Sequence, residues 1–241
     1  MIPQTFQANP VLARWVSFPA PGEVRVAFGK VEYGQGIMTA LAQIAADELD
    51  VALARVVVVG AASGEVPDEG LTVGSMSIES SGASLRAAAA EVRALFLAVA
   101  AERLGCSAEE LDIRDGTFVH NGTVTVLDYW RLAPEVDLNR APEGKARWKT
   151  AERHHIVGKS VSRFDLPAKI FGGGFIQDIP LKDVTHARVL RQPGYKAEIA
   201  TLDEAAIRKA AGADIDIVRE GAFVAFLSAS ERVVTLAIAA A

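Results

Sequence analysis

Three short stretches of this chain combine residues that could hold a ligand. Glu32-Tyr33-Gly34-Gln35-Gly36 precedes Ile37, Leu41, Ile44, Ala45 and Leu49, whose spacing predicts an amphipathic helix from Ile37 to Leu49. Glycines on both sides of Gln35 let the backbone approach a ligand closely. Amides at a helix start can bind an anion such as phosphate, and Gln35 offers a carbonyl and an amide to the edge of a heterocycle. Spacing alone favours an ordinary strand-to-helix turn, because short glycine motifs occur in many settings. Thr72-Val73-Gly74-Ser75-Met76-Ser77 has little bulk and three hydroxyls, which could join backbone amides in holding polar oxygens. A loop that only joins a strand to a helix stands level with that reading. Phe171-Gly172-Gly173-Gly174-Phe175 has the glycines of a phosphate cradle. It runs on into Ile176-Gln177-Asp178-Ile179-Pro180 and not into a helix, so a turn between strands is expected.

The remaining reactive residues point elsewhere. His154 and His155 are neighbours, and neighbouring side chains point apart, so a solvated connector is expected in place of a shared metal. Cys106 follows the helix-ending Gly105 and lacks the helix start that would lower its pKa; an inert thiol is expected. It is the chain's one cysteine, which excludes an internal disulfide, a four-cysteine zinc site and an iron–sulfur cluster. No Gly-x-Ser-x-Gly elbow supports a serine hydrolase. No residue is assigned to catalysis or to a metal.

Several elements must position these stretches. Val24, Val26 and Phe28 alternate with Arg25 and Ala27 after Pro21-Gly22, which predicts a hairpin. Arg55 to Val59 reads as a buried strand and Ser63 to Glu69 as a polar loop. A long helix starts near Ser81-Gly82, carries the stripe Leu85, Ala89, Val92, Phe96 and Val99, and stops at Gly105. Leu111 to Val126 reads as two strands joined by His120-Asn121-Gly122-Thr123, a tight-turn sequence. Asn139 to Thr150 looks like a connector. After Gly158, short strands (Ala187 to Leu190, Glu198 to Ala200, Asp214 to Val218, Phe223 to Leu227) surround one helix, Glu204 to Ala211. Thr201 and Glu204 have capping-box spacing there, and Gly212 closes the helix. A boundary is placed near residue 150, giving parts 1–150 and 151–241. The apolar end, Val233 to Ala241, reads as a helix opening that needs something to pack on, from a longer domain or from another polypeptide.

The 241 residues allow one large domain or two small ones, and 50% hydrophobic with 23% charged residues suits a packed core. A net charge of −5 gives no footprint for nucleic acid or an anionic membrane surface. Charges such as Glu91, Arg93 and Glu102 interrupt the Ala/Val-rich windows, so no membrane span is expected. Met1 to Pro10 shows no basic region followed by an apolar run, which predicts a cytoplasmic protein.

Taken in order, Gly29 to Val51 (GKVEYGQGIMTALAQIAADELDV) and Pro67 to Leu95 (PDEGLTVGSMSIESSGASLRAAAAEVRAL) resemble the molybdopterin-binding large subunit of the xanthine dehydrogenase/aldehyde oxidase family. The branch they resemble is the isoquinoline 1-oxidoreductase and nicotinate dehydrogenase type. Ser162 to Pro193 resembles the start of that family's a/b hammerhead domain. The resemblance implies an α+β fold: a mixed-sheet segment of a molybdopterin-binding domain over 1–150, then a partial hammerhead domain over 151–241. It implies that Gly34, Gln35 and Gly36 contact the pyranopterin of the molybdenum cofactor, expected in its cytosine dinucleotide form. Val73, Gly74, Ser75, Met76 and Ser77 match the loop at the cofactor's pterin and phosphate side. Tyr33 departs from the family, which often has Met there.

The family's catalytic glutamate and the Gly/Phe-rich loop facing the metal have no counterpart in these residues, so the chain resembles the N-terminal portion of a split or truncated subunit. The implied function is the cofactor-binding portion of a molybdenum hydroxylase that hydroxylates an N-heterocycle or aldehyde with oxygen from water. The alternative is a non-catalytic assembly or binding module, inactive without a partner chain. Expected partners are the remainder of the subunit, an iron–sulfur subunit that holds the clusters, and a flavin or cytochrome subunit, in an oligomer.

Overall fold

Residues 2–60, 62–173, 175, 179–212 and 215–241 are described by the computed structural model. They form two compact units, 1–171 and 172–241. The first opens with a short helix, α1 (Gln4–Ala8), whose Phe6 packs edge-on against Trp15. Strand β1 (Val16–Ser17) turns through left-handed Gly22 and pairs antiparallel with β2 (Val24–Ala27). The predicted hairpin is therefore present, with Val24 and Val26 fully buried. Helix α2 (Ile37–Leu49) carries the chain over to β3 (Val56–Val59), which pairs parallel with β2. A parallel pair needs such a crossover. The α2 bounds are those read from the spacing, and its Leu41, Ala45 and Leu49 are buried. Burying each leucine contributes about 1.5–3 kcal/mol. The strand expected at Arg55 to Val59 is there, but only Val56 is buried and Val57 is 45% exposed. Its position at the edge of a three-stranded sheet explains the difference.

A wide helical turn over Ser77–Gly82 leads into α3 (Ala83–Leu104), so the helical path starts earlier than Ser81-Gly82 suggests. Leu85, Ala89, Val92 and Phe96 are buried, and left-handed Gly105 ends the helix. Three strands follow where two were expected: β4 (Leu111–Arg114), β5 (Thr117–His120) and β6 (Thr123–Asp128), all antiparallel. Asp115-Gly116 makes the extra turn with the same chemistry as Asn121-Gly122, both residues of each pair having positive φ. Tyr129 opens the one-turn helix α4 (Tyr129–Leu132). Its ring packs on Phe18, Phe96 and Phe118, and its hydroxyl donates to Leu49 O at 3.0 Å, which locks this meander to α2 and α3.

The polar stretch after Asn139 is mostly exposed, as expected of a connector, but its end is pinned to α2. Asp47 of α2 accepts N–H bonds from His155 (2.7 Å), Ile156 (3.2 Å) and Val157 (2.7 Å), and Lys149 is buried. These bonds keep residues 149–165 and helix α5 (Leu166–Phe171) with the first compact unit, which runs to Phe171.

In the second unit, β7 (His186–Val189), β8 (Asp216–Glu220) and β9 (Phe223–Ser228) form an antiparallel sheet in the order β7-β9-β8. Helix α6 (Glu204–Ala211) precedes β8, and α7 (Glu231–Ala240) follows β9. No strand forms at 198–200. Asp203, not Thr201, caps α6 by accepting the Ala206 N–H at 2.9 Å, and left-handed Gly212 closes it. The apolar end finds its packing partner inside the unit: Val233, Val234 and Ala237 of α7 join Ile207, Val224 and Phe226 in one buried cluster. The glycine-rich stretch begins as α5 ends; Gly172 and Gly173 are left-handed and follow a helix, not a strand. Gly174, Ile176, Gln177 and Asp178 of that motif, and Asp214 of the expected third strand, lie outside the described residues. The architecture is α+β, with a mixed first sheet. Among the described residues, no helix is long and apolar enough to cross a membrane.

Candidate functional site

The Gly-Gln-Gly loop is organised by its own side chains. Gly34 and Gly36 have φ of 115° and 79°, a region that favours glycine, and Gly36 is the residue before α2. Gln35 folds back on the loop: its Oε1 accepts the Tyr33 N–H at 2.8 Å and its Nε2 donates to Val31 O at 2.8 Å. Glu32 takes the place expected for an anion at the α2 start, accepting N–H bonds from Gly34 (2.8 Å), Gly36 (2.9 Å) and Met38 (3.3 Å). Arg163 reaches the loop from the far end of the unit. It donates to Gly34 O at 2.7 Å, lies 3.4 Å from Glu32 and forks onto Asp165.

Burial alone would raise the Glu32 pKa, but the N–H bonds from Gly36, Gly34 and Met38 outweigh it and hold it below the usual 4.5. A depressed folded pKa adds stability above the unfolded value, and this stability is lost as pH falls through the folded one. The Tm difference between the native chain and Glu32→Gln is therefore expected to be full at pH 7 and to close below about pH 4.5. Thermal unfolding of both across that range is the measurement; a pH-independent difference would remove Glu32 from this role.

The second loop lies against the first. Tyr33 Oη donates to Thr72 O at 3.0 Å, and the Val31 N–H donates to Thr72 Oγ1 at 3.0 Å. Beneath them, Lys30 is 3% exposed and donates to Glu69 O (2.9 Å) and Leu71 O (3.2 Å). Glu69 Oε2 accepts from Gly29 N at 2.8 Å and from Ser81 Oγ at 2.7 Å, tying both loop roots to the turn before α3. Gly74 and Ser75 are consecutive left-handed residues, and Val73, Gly74, Ser75 and Met76 are exposed, with Ser77 half-buried. A cavity of about 500 Å³ lies beside the brace, lined by Arg14, Gly29, Val31, Pro67 and Glu69 among others.

A family model described as the molybdopterin cofactor-binding domain matches residues 3–162. The chain belongs to this family. The molybdopterin-binding chain is 36% identical over 183 residues to a nicotinate dehydrogenase subunit of Pseudomonas putida, a match that covers 76% of this chain and 15% of that protein. It is 26% identical over 238 residues to the beta subunit of isoquinoline 1-oxidoreductase of Brevundimonas diminuta, covering 82% of this chain and 30% of that protein. A solved CO dehydrogenase from Oligotropha carboxidovorans matches over 53% of this chain and 16% of its own, at 24% identity and a TM-score of 0.45. The chain thus spans well under half the length of these relatives.

The two adjoining loops leave room for such a group. A Cβ built on Gly34 or Gly70 would meet open space, so ligand atoms can approach the backbone there. Glu69 is 8% exposed, and its Oε1 is a buried side-chain atom with no hydrogen-bond partner. Such an atom favours a neighbouring donor.

Lys30, Glu69, Ser81 and Arg163 brace these loops although motif and spacing do not single them out, and Glu32 stands in the first motif without a role read for it there. Their signal in the sequence is faint: lone charges and a hydroxyl at the flanks of glycine-rich loops. The His154 ring lies 3.3 Å from Arg86, and the His155 backbone N–H donates to Asp47.

Proposed function

We propose that this chain is the cofactor-binding portion of a molybdenum hydroxylase, one that hydroxylates an N-heterocycle or aldehyde carbon with oxygen from water. The names of the relatives, nicotinate dehydrogenase and isoquinoline 1-oxidoreductase, favour an N-heterocycle. When bound, the molybdenum cofactor, in the cytosine dinucleotide form, supplies the redox chemistry; the protein supplies binding and orientation. Gly34, Gln35 and Gly36 border the pyranopterin. Val73, Gly74, Ser75, Met76 and Ser77 border the pterin and phosphate side. The observation that carries this reading is the pair of bonds from Tyr33 and Val31 to Thr72, which sets two glycine-containing loops side by side.

Around these loops Val31, Tyr33, Leu71, Val73, Met76 and Ile78 are exposed, with Leu71 at 80%. An apolar rim of this kind marks an interaction surface. The remainder of the molybdopterin subunit covers it, and an iron–sulfur subunit and a flavin or cytochrome subunit complete a cytoplasmic oligomer. Residues 151–241, which include the second compact unit, are read as the first part of an a/b hammerhead domain.

Molybdenum and pterin analysis of the natively purified chain, with its co-purifying polypeptides, tests the reading. Gln35→Ala frees two loop bonds, and Gly74→Val forces a β-branched residue into a left-handed position. Each is expected to lower cofactor affinity by about tenfold or more. Full occupancy in both variants, or no molybdenum in the native preparation, would sink the reading.

A further inference from the structure

The end of α3 and the β5–β6 turn bring together three side chains that the cofactor site does not use. Cys106, Glu110 and His120 each offer one ligand atom, and these atoms all lie within 4.8 Å of one another. Each is held by a differently braced piece of backbone. Cys106 sits just past left-handed Gly105, its N–H bonded to Ala101 O at 3.1 Å. Glu110 ends a single helical turn, Ala108–Glu110, as part of a capping box in which the Ser107 N–H donates to Glu110 Oε2 at 2.8 Å. His120 is the last residue of β5 and pairs with Leu111 of β4. Glu110 Oε1 is left facing His120 Nε2 at 3.9 Å. Asn121 Nδ2 lies beside both, 3.2 Å from His120 Nε2 and 3.5 Å from Glu110 Oε1.

A thiolate, an imidazole and a carboxylate form a donor set that zinc takes, whereas magnesium and calcium prefer oxygen alone. Tetrahedral zinc with bonds of about 2.0–2.3 Å places its ligand atoms about 3.3–3.8 Å apart. The His120–Glu110 separation of 3.9 Å is already close to that spacing, and the other separations need less than a bond length of closure. Side-chain rotation supplies such a shift without moving the capped turn or the hairpin. We propose that Cys106, Glu110 and His120 form a zinc site with water in the fourth position. The bound ion ties the end of α3 to the β5–β6 hairpin.

The chain has one cysteine, so thiolate-to-cobalt charge-transfer absorption reports on Cys106 alone. Cobalt(II) added to the whole chain is expected to produce that near-ultraviolet band, and one equivalent of zinc(II) to bleach it. Cys106→Ser should abolish the band, while His120→Ala and Glu110→Gln should each weaken metal affinity by about tenfold or more. Melting temperatures of the metal-free variants are taken alongside. Zinc should also slow alkylation of Cys106 by iodoacetamide in the unsubstituted chain, a readout that depends on no variant. Absence of the band with unchanged alkylation would overturn the proposal. So would a band whose affinity is the same in His120→Ala and Glu110→Gln, because the thiol would then bind metal without its neighbours.

Discussion

Glu48→Ala is expected to destabilise the first unit by about 3–5 kcal/mol, the usual result of removing one partner from a buried ion pair. Glu48 is 1% exposed and stands in the last turn of α2. Its carboxylate lies 2.8 Å from Arg93 and 3.4 Å from Arg86, and it accepts the Lys149 N–H at 3.1 Å. Truncation leaves the Arg93 guanidinium, itself only 12% exposed, with two carbonyl acceptors but no counter-charge, and the buried Lys149 N–H without its acceptor. Lys149 depends on the same region. Burial pushes its ammonium below the ordinary lysine pKa, and its ion pair with Asp50 opposes that shift. Thermal unfolding reads the effect, at about 2–4 °C for each kcal/mol in a chain of this size. Glu48→Gln keeps the shape but not the charge and should fall between the two. A loss under about 1 kcal/mol for Glu48→Ala would mean that water replaces the carboxylate without cost, contrary to the burial.

Gly29→Ala is expected to cost about 1–3 kcal/mol and to part the roots of the two glycine-containing loops. A Cβ at Gly29 would stand 2.3 Å from Pro67 O and 3.1 Å from Glu69 N, both backbone atoms, so one strand of chain must move. The movement would stretch the Gly29–Glu69 bond of 2.8 Å and, through Lys30, the bonds to Glu69 O and Leu71 O. Hydrogen exchange at the amides of residues 69–72 should rise, alongside a lower Tm. Gly34→Ala is the comparison. It meets no atom within 4 Å and suffers only the strain of its positive φ, so exchange at 69–72 should stay as it is. Unchanged exchange in Gly29→Ala would show that the close approach there is not what holds the loops together.

Local chemistry alone makes part of this protein legible. The α2 bounds follow from an apolar stripe and a glycine before it, and the ends of α3 and α6 from glycines that alone accept a left-handed cap without strain. Asn121-Gly122 makes one turn of the meander visible; Asp115-Gly116 carries the same signal for the turn between β4 and β5, where a single longer strand was expected. Gly34–Gly36 and Val73–Ser77 are also readable, as small-residue loops of a family pattern. What those loops rest on is not. Lys30 and Glu69 are 39 residues apart, Glu32 and Arg163 131, and Lys149 is 101 residues from Glu48. A charged residue in a loop has one sequence whether it ends up solvated or buried against a distant carbonyl. Periodicity and turn propensity act over a few residues, whereas desolvation of a charge depends on which remote chain covers it. Short-range pattern therefore sets the helices, their stops and the two loops. That the loops touch, that Glu32 takes the anion position at the α2 start, and that the polar stretch from 149 to 165 is pinned to α2 are settled only when segments far apart in the chain pack together.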